Sequence, residues 1–199
     1  GAAIKVSQSY QGKRKSMADV QLAGVGTYRL EIANPARFMT TYQLNGERKR
    51  LMANKQQRQD KIPADASNIE TVQLRSRQFA YVTVNAPSDT VMALSGEGLE
   101  LQSNTHPADV VAGEALSFSF YVNGRLQTGV KGVLSFDGER YRNEAGRIEF
   151  ATDANGQFSF TPAQAGRYLL EASYSAPISA AQADLMREAI SYSFEVAQP

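Results

Sequence analysis

The feature that most constrains the fold is a stretch of alternating residues and turns at residues 152–174. A turn ending at Gly156 is followed by residues 157–160, which alternate polar and aromatic with the two-residue period of a half-buried strand. A second turn ends at Gly166, where glycine gives conformational freedom, and residues 168–174 again have the composition of a strand. The stretch therefore predicts neighbouring antiparallel strands.

Runs with the same period recur along the rest of the chain. An Asn-Gly pair, Asn45 and Gly46, separates two of them and predicts a β-hairpin. Further strands are predicted at residues 28–32, 71–84, 116–122 and 190–196. The chain is therefore predicted to be all-β, built from antiparallel β-sandwiches.

Length predicts two domains. A single immunoglobulin-like sandwich takes about 100 residues, and the chain has 199. Asn85, Pro87 and Ser88 have the composition of a linker and follow a predicted strand. We therefore expect an N-terminal β domain at residues 1–87 and a C-terminal β-sandwich at residues 88–199, whose seven or so short strands match the count of an immunoglobulin-like domain.

Three segments are predicted to interrupt the strands. Pro35 lacks the N–H that a central strand requires, which predicts that the strand at residues 28–32 ends there. Residues 53–68 are polar and predict a loop or a short helical turn. Residues 180–188 consist of helix formers and predict two helical turns.

Composition excludes several classes of protein. Hydrophobic residues make up 42% of the chain and charged ones 21%, which is ordinary for a globular protein. No apolar run approaches the roughly 18 residues that a membrane span requires. The absence of cysteine excludes disulfides, thiolate metal sites and a cysteine nucleophile. Residues 1–5 lack the basic head and apolar run of a signal peptide, so we expect the natural protein to be longer at its N-terminus.

Charge is distributed unevenly along the chain. Residues 1–62 hold twelve Lys or Arg and four Asp or Glu, a net charge of +8, whereas the remainder has a net charge of −7. The basic runs at residues 13–15 and 48–50 are candidates for contact with phosphate-bearing partners. No nucleic-acid recognition motif accompanies them, so we expect no nucleic-acid partner. The simpler interpretation is that they are outward positions of strands and a hairpin, or that the basic half contacts acidic surface of the other domain.

His106 is the single histidine of the chain, which excludes a site with several histidine ligands. With Asp109 and Glu114 it is a candidate for a weak, oxygen-rich metal site. The alternative is a solvated turn residue, since His106 precedes Pro107 in a polar segment.

Nothing in the sequence indicates an enzyme. No Gly-x-Ser-x-Gly motif presents a nucleophilic serine. Asp153 and Asn155 are spaced like the start of a calcium loop, but the later ligands are missing, so a hairpin turn is favoured. Acidic residues at positions 139, 144 and 149 alternate with arginines, which favours surface ion pairs over a pair of catalytic carboxylates.

Two tyrosines are candidates for ligand binding. Tyr121 and Tyr141 could offer aromatic platforms to a sugar ring, with Phe136 as a third candidate. Packing in the core is the alternative role, and it is favoured for Phe136.

Two resemblances add to these expectations. The sequence Gly166-Arg167-Tyr168 resembles the tyrosine corner of immunoglobulin-like domains, with Leu170 where many of them have a cysteine. Most of the chain also resembles an uncharacterised bacterial family of secreted proteins that is grouped with periplasmic accessory components of nickel and cobalt uptake. The motifs that carry this second resemblance lie at residues 42–50, 98–101, 105–107, 112–114, 152–156 and 165–168.

The family resemblance implies a protein of the cell envelope, and because the residues suggest no nucleophile and base, we expect a non-enzymatic binding or accessory protein. Members usually carry a signal peptide and a histidine-containing N-terminus, so a periplasmic or secreted location is implied. The implied partner is an envelope transport component or a cell-surface ligand. Nickel or cobalt is implied by the resemblance alone, and no other cofactor is expected. A carbohydrate-binding or adhesion module is the alternative function.

Overall fold

The computed structural model describes residues 6–199, and strands make up most of this part of the chain. In chain order the strands are β1 (Gln8–Gln11), β2 (Ser16–Asp19), β3 (Gly26–Leu44), β4 (Glu47–Leu51), β5 (Ser67–Val84), β6 (Leu99–Ser103), β7 (Leu116–Val122), β8 (Arg125–Leu126), β9 (Lys131–Phe136), β10 (Ile148–Ala151), β11 (Gln157–Phe160), β12 (Gly166–Ala180) and β13 (Ala183–Val196). Single 3₁₀ turns lie at Thr90–Met92 and Glu139–Tyr141. Residues 6–199 contain no α-helix and no helix that could cross a bilayer. The all-β prediction is confirmed, and the remark on residues 1–5 lies outside the described part.

The strands form three sheets. The largest has seven strands in the order β10-β9-β12-β13-β5-β3-β4, and a smaller one has the order β11-β7-β6 with β8 beside β7. The first two strands form a separate hairpin. All neighbours run antiparallel except β13 and β5, which run parallel.

The core lies between the two larger sheets. Alternate residues of β7, including Phe118 and Phe120, point inward and are almost completely buried. The Phe118 ring centroid lies 6.1 Å from that of Tyr192 and 5.8 Å from that of Phe194, both on β13. Burying an aromatic or aliphatic side chain of this size stabilises a fold by about 1.5–3 kcal/mol. The two-layer sandwich is therefore held mainly by apolar packing.

The parallel pair joins the two halves of the chain. Residues Leu185 to Ser193 of β13 lie beside Val72 to Ala80 of β5, so strands from both sides of the predicted linker share one sheet. Phe79 of β5 also belongs to the core cluster, with its ring 5.0 Å from that of Tyr192. The domain boundary between residues 87 and 88 stays a prediction, but strands from both sides of it belong to the same sheet.

Two turn predictions are confirmed. Asn45 and Gly46, with φ angles of 52° and 79°, connect β3 to β4 in a tight hairpin. The Asp153 carboxylate accepts hydrogen bonds of 2.8 Å from the N–H groups of Asn155 and Gln157. Asp153 is therefore occupied in shaping its own turn, as the hairpin interpretation requires.

Two local predictions are wrong. Residues 180–188 form the end of β12, a turn and the start of β13 rather than a helix, because strand pairing outweighs their helix propensity. Pro35 does not end a strand: β3 continues to Leu44, and an irregularity in its pairing with β5 between Asn34 and Arg37 accommodates the proline.

Candidate functional site

A concave surface lies at one end of the seven-stranded sheet, where β5, β9 and β13 end and β12 begins. It consists of three adjoining depressions of about 890, 640 and 570 Å³. Arg167 lines all three of them, and Ser193 and Glu195 each line two. We call this surface the strand-end groove. Its other principal residues are Val82, Pro107, Phe136, Asp137, Tyr141, Tyr168 and Leu169.

One end of the groove is a fork in the sheet. The pairing of β5 with β13 stops at Ala80 and Ser193. Beyond that point β5 continues beside β3 and β13 continues beside β12. The depression of about 570 Å³ lies where the two strands separate, and Pro107 and Val110 contribute to its lining.

Arg167 lies at the centre of the groove and is fixed by Asp137. Its Nη2 atom lies 2.7 Å from Oδ2 of Asp137, and the backbone N–H of Asp137 donates to the Arg167 carbonyl at 2.9 Å. The N–H of Gly138 and the guanidinium hold the pKa of Asp137 below its ordinary value. The carboxylate therefore stays ionised and keeps the guanidinium in place, while 72% of the Arg167 side chain remains exposed.

The other end of the groove carries an exposed aromatic ring. Gly138, with φ of 79°, turns the chain into the Glu139–Tyr141 3₁₀ turn, and the N–H of Tyr141 donates to the Gly138 carbonyl at 2.9 Å. Tyr141 is 85% exposed. Its position follows from a local turn, so the ring is presented to solvent rather than packed in the core.

The loop that carries Tyr141 is held by two arginines. Nη2 of Arg142 donates to the carbonyls of Phe136 and Ala145, each at 2.9 Å, and its guanidinium lies 5.3 Å from the Phe136 ring centroid. Arg147 pairs with Glu139 and lowers the pKa of that carboxyl. This pair agrees with the surface ion pairs predicted for the segment.

Tyr168 forms the buried wall of the groove. Its hydroxyl donates to the Gln164 carbonyl at 2.9 Å, as a tyrosine corner requires, and its ring lies 4.9 Å from that of Phe136. Burial raises the pKa of Tyr168, so the hydroxyl remains a hydrogen-bond donor at neutral pH. Phe136 packs against this wall, as the core alternative predicted.

His106 lies near the fork and bonds to the protein through both ring nitrogens. Nδ1 accepts a hydrogen bond of 3.0 Å from the N–H of Ala108, so we assign the proton to Nε2, which lies 3.0 Å from Oγ1 of Thr27. That oxygen also accepts from the N–H of Ser88 at 3.0 Å and lies 3.1 Å from Oγ1 of Thr83. His106 thus ties the loop after β6 to β3, β5 and the linker.

The three candidate metal ligands do not form a cluster. Asp109 and Glu114 are exposed, and the backbone N–H of Asp109 donates to the His106 carbonyl at 2.9 Å. Across residues 6–199, no group of three or more His, Asp or Glu side chains is arranged to hold a metal ion.

A comparison with protein families identifies the group to which the chain is related. A family model described as a domain of unknown function, DUF4198, matches residues 3–176. The chain belongs to the DUF4198 family. No curated protein matches it. The link to nickel and cobalt uptake and the immunoglobulin-like assignment stay predictions.

The groove of this DUF4198 chain draws on residues inside and outside the matched range. Arg167 and Tyr141 lie within residues 3–176, whereas Ser193 and Glu195 on β13 lie beyond it. The last strand of the sandwich therefore contributes to the site although the family model ends before it.

The two candidate tyrosines lie in different places. Tyr141 lines the strand-end groove. Tyr121 lies on β7, opposite Glu100 and Leu126, and alternates with the inward-pointing phenylalanines, so it faces away from the core. Sequence reasoning did not assign Arg167 and Asp137 to a site. Two sequence signals lie next to these residues: Gly138, a turn residue, follows Asp137, and Arg167 is the middle residue of Gly166-Arg167-Tyr168.

Proposed function

We propose that this DUF4198 chain is a non-enzymatic binding module of the bacterial cell envelope, periplasmic or secreted, and that the strand-end groove binds a carbohydrate. The observation that carries the proposal is the exposed ring of Tyr141 at the edge of a depression of about 890 Å³. Binding sites for small ligands are concave and combine aromatic surface with a few placed polar groups.

The chemistry around Tyr141 suits a sugar. An exposed aromatic ring offers a flat apolar face, on which the C–H groups of a pyranose can pack. Asp137 and Arg167, which already pair at 2.7 Å, supply an acceptor and a donor for neighbouring hydroxyl groups. Because the two groups hold each other in place, little side-chain entropy is lost when a ligand binds.

The hydrogen bonds of His106 support a non-enzymatic role. Its Nδ1 is an acceptor for a backbone N–H, and its Nε2 faces a threonine that already has two other partners. A general base needs a free nitrogen within reach of the proton that it removes. The histidine is better suited to holding the fork together than to proton transfer.

An accessory role in nickel or cobalt uptake is a separate candidate function of such an envelope protein, and it rests on the family resemblance alone. It predicts heat on titration of the chain with Ni²⁺ or Co²⁺. His106→Ala should abolish that heat if His106 is a ligand. Heat that survives this substitution would place any metal site elsewhere.

A glycan array followed by calorimetry on the best hit tests the carbohydrate proposal. We expect Tyr141→Ala to weaken binding at least about tenfold, which corresponds to about 1.4 kcal/mol of stacking. Tyr121→Ala is the matched control, because Tyr121 lies outside the groove, and it should bind like the unchanged chain. An array without hits, or equal losses in both variants, would reject the proposal.

A further inference from the structure

The hairpin formed by β1 and β2 is exposed throughout. Its residues pair from Gln8 with Asp19 to Gln11 with Ser16, and all eight are exposed. A two-stranded hairpin without further packing is at best marginally stable in water. Contact with another surface would therefore add stability that the hairpin does not obtain from its own residues.

The two faces of this hairpin differ. Tyr10 is directly opposite Met17, so their side chains lie together on one face, and they are 62% and 54% exposed. The opposite face carries only small or uncharged polar side chains, those of Ser9, Gln11, Ser16 and Ala18. The Tyr10 face also carries Gln8 and Asp19, at the end away from the turn, so the apolar part of this face is the Tyr10–Met17 pair near the turn.

The tip of the hairpin is strongly basic. Lys13, Arg14 and Lys15 are consecutive and exposed, and the turn is closed by a 2.8 Å hydrogen bond from the N–H of Gly12 to the Lys15 carbonyl. The one carboxylate of the hairpin, Asp19, lies at the other end. Positive charge is therefore concentrated at the end of the hairpin that is nearer to the Tyr10–Met17 pair.

We propose that this hairpin docks on an anionic phospholipid surface. Lys13, Arg14 and Lys15 contact headgroup phosphates, and Tyr10 and Met17 lie at the boundary between headgroups and acyl chains. Clustered cations bind anionic leaflets, and tyrosine favours the interfacial depth because one end of its ring is apolar and the other is polar.

The size of the hairpin favours a lipid surface over a protein partner. Each strand has four residues with a rise of about 3.4 Å per residue, and the two strands lie about 5 Å apart. One face of the hairpin therefore covers on the order of 150 Å². A stable protein interface takes about 800 Å² from each partner. Binding to a charged bilayer requires no minimum interface area, because each cation and each buried apolar group adds to the binding free energy.

Sedimentation of the full chain with vesicles tests the proposal. We expect binding to vesicles of phosphatidylcholine and phosphatidylglycerol at 3:1, weaker binding as salt rises, and none to phosphatidylcholine alone. Replacing Lys13, Arg14 and Lys15 together by Glu should lower partitioning at least about a hundredfold. The matched control makes the same three changes at Arg48, Lys49 and Arg50 of β4, whose side chains are also exposed, and should retain most of the binding.

A fluorescent variant tests the position of Tyr10. The chain has no tryptophan, so Tyr10→Trp introduces a single reporter. Its emission should shift to shorter wavelength with anionic vesicles and should be quenched by brominated lipid. Absence of vesicle binding, equal loss in the two charge variants, or unchanged emission during binding would overturn the proposal. None of these results depends on whether the strand-end groove binds a glycan.

Discussion

At the scale of single residues, a side chain that attracts attention in the sequence can have a purely structural role. His106 stands out because it is the only histidine. Its partner Thr27 lies 79 positions away, and no local pattern indicates that contact. The sequence therefore identified an unusual residue, but only the fold shows what its two nitrogens contact.

Replacing His106 by Ala should destabilise the chain. The substitution removes the hydrogen bonds to Ala108 and Thr27, and we expect a loss of about 1–3 kcal/mol in urea unfolding. Asp109→Ala is the control, because an exposed side chain three positions away should change stability by no more than about 0.5 kcal/mol. Equal stability of both variants would show that the His106 bonds contribute nothing.

Glu188 should make stability depend on pH. Burial raises the pKa of this carboxyl, although Arg75, with Nε 3.7 Å from Oε1, opposes the shift. A raised pKa in the folded state means that the protonated form folds more favourably, so stability is lost as pH rises through that pKa. Glu188→Gln removes the effect.

The test compares Glu188→Gln with the unchanged chain by urea unfolding between pH 4 and pH 7. The stability of the variant relative to the unchanged chain should increase as pH rises. Glu149→Gln serves as the control, because Glu149 is an exposed glutamate on β10. A difference that is constant across this range, or one that decreases with pH, would contradict the assignment.

At the scale of elements, strands and tight turns could be predicted because their signals are local. Asn45 and Gly46 specify their hairpin by backbone conformation alone. The helix predicted at residues 180–188 is wrong because helix propensity is a local signal, whereas the pairing of β13 with β5 involves residues over a hundred positions away. The groove could not be predicted from local signals, since four strands and two connecting segments that are distant in sequence meet there.

Gly132 on β9 is required by close packing between elements. An added Cβ would lie 2.4 Å from the Glu171 carbonyl oxygen and 2.4 Å from Cζ of Phe150. Gly132→Ala should therefore cost about 1–3 kcal/mol, or more if the Phe150 ring cannot move. Thermal unfolding against Lys131→Ala, an exposed neighbour on the same strand, measures this cost. Similar melting temperatures for the two variants would refute it.

At the scale of the whole molecule, the parallel pair of β5 and β13 decides whether the two predicted domains are independent. Nine residues of each strand are paired, and Phe79 of β5 packs on Tyr192 of β13. Removing one half would expose this edge and part of the core. The groove would also lose Val82, which comes from the N-terminal half.

The two halves should therefore be unstable when separated. We expect residues 88–199 alone to unfold at a lower urea concentration than the full chain, because β13 loses its pairing with β5 and the core loses Phe79. Adding residues 1–87 should restore stability if the two fragments reassemble through this edge. If residues 88–199 instead unfold at the same midpoint and with the same slope as the corresponding transition of the full chain, the two halves are independent domains. Neither would then need the shared sheet for its stability.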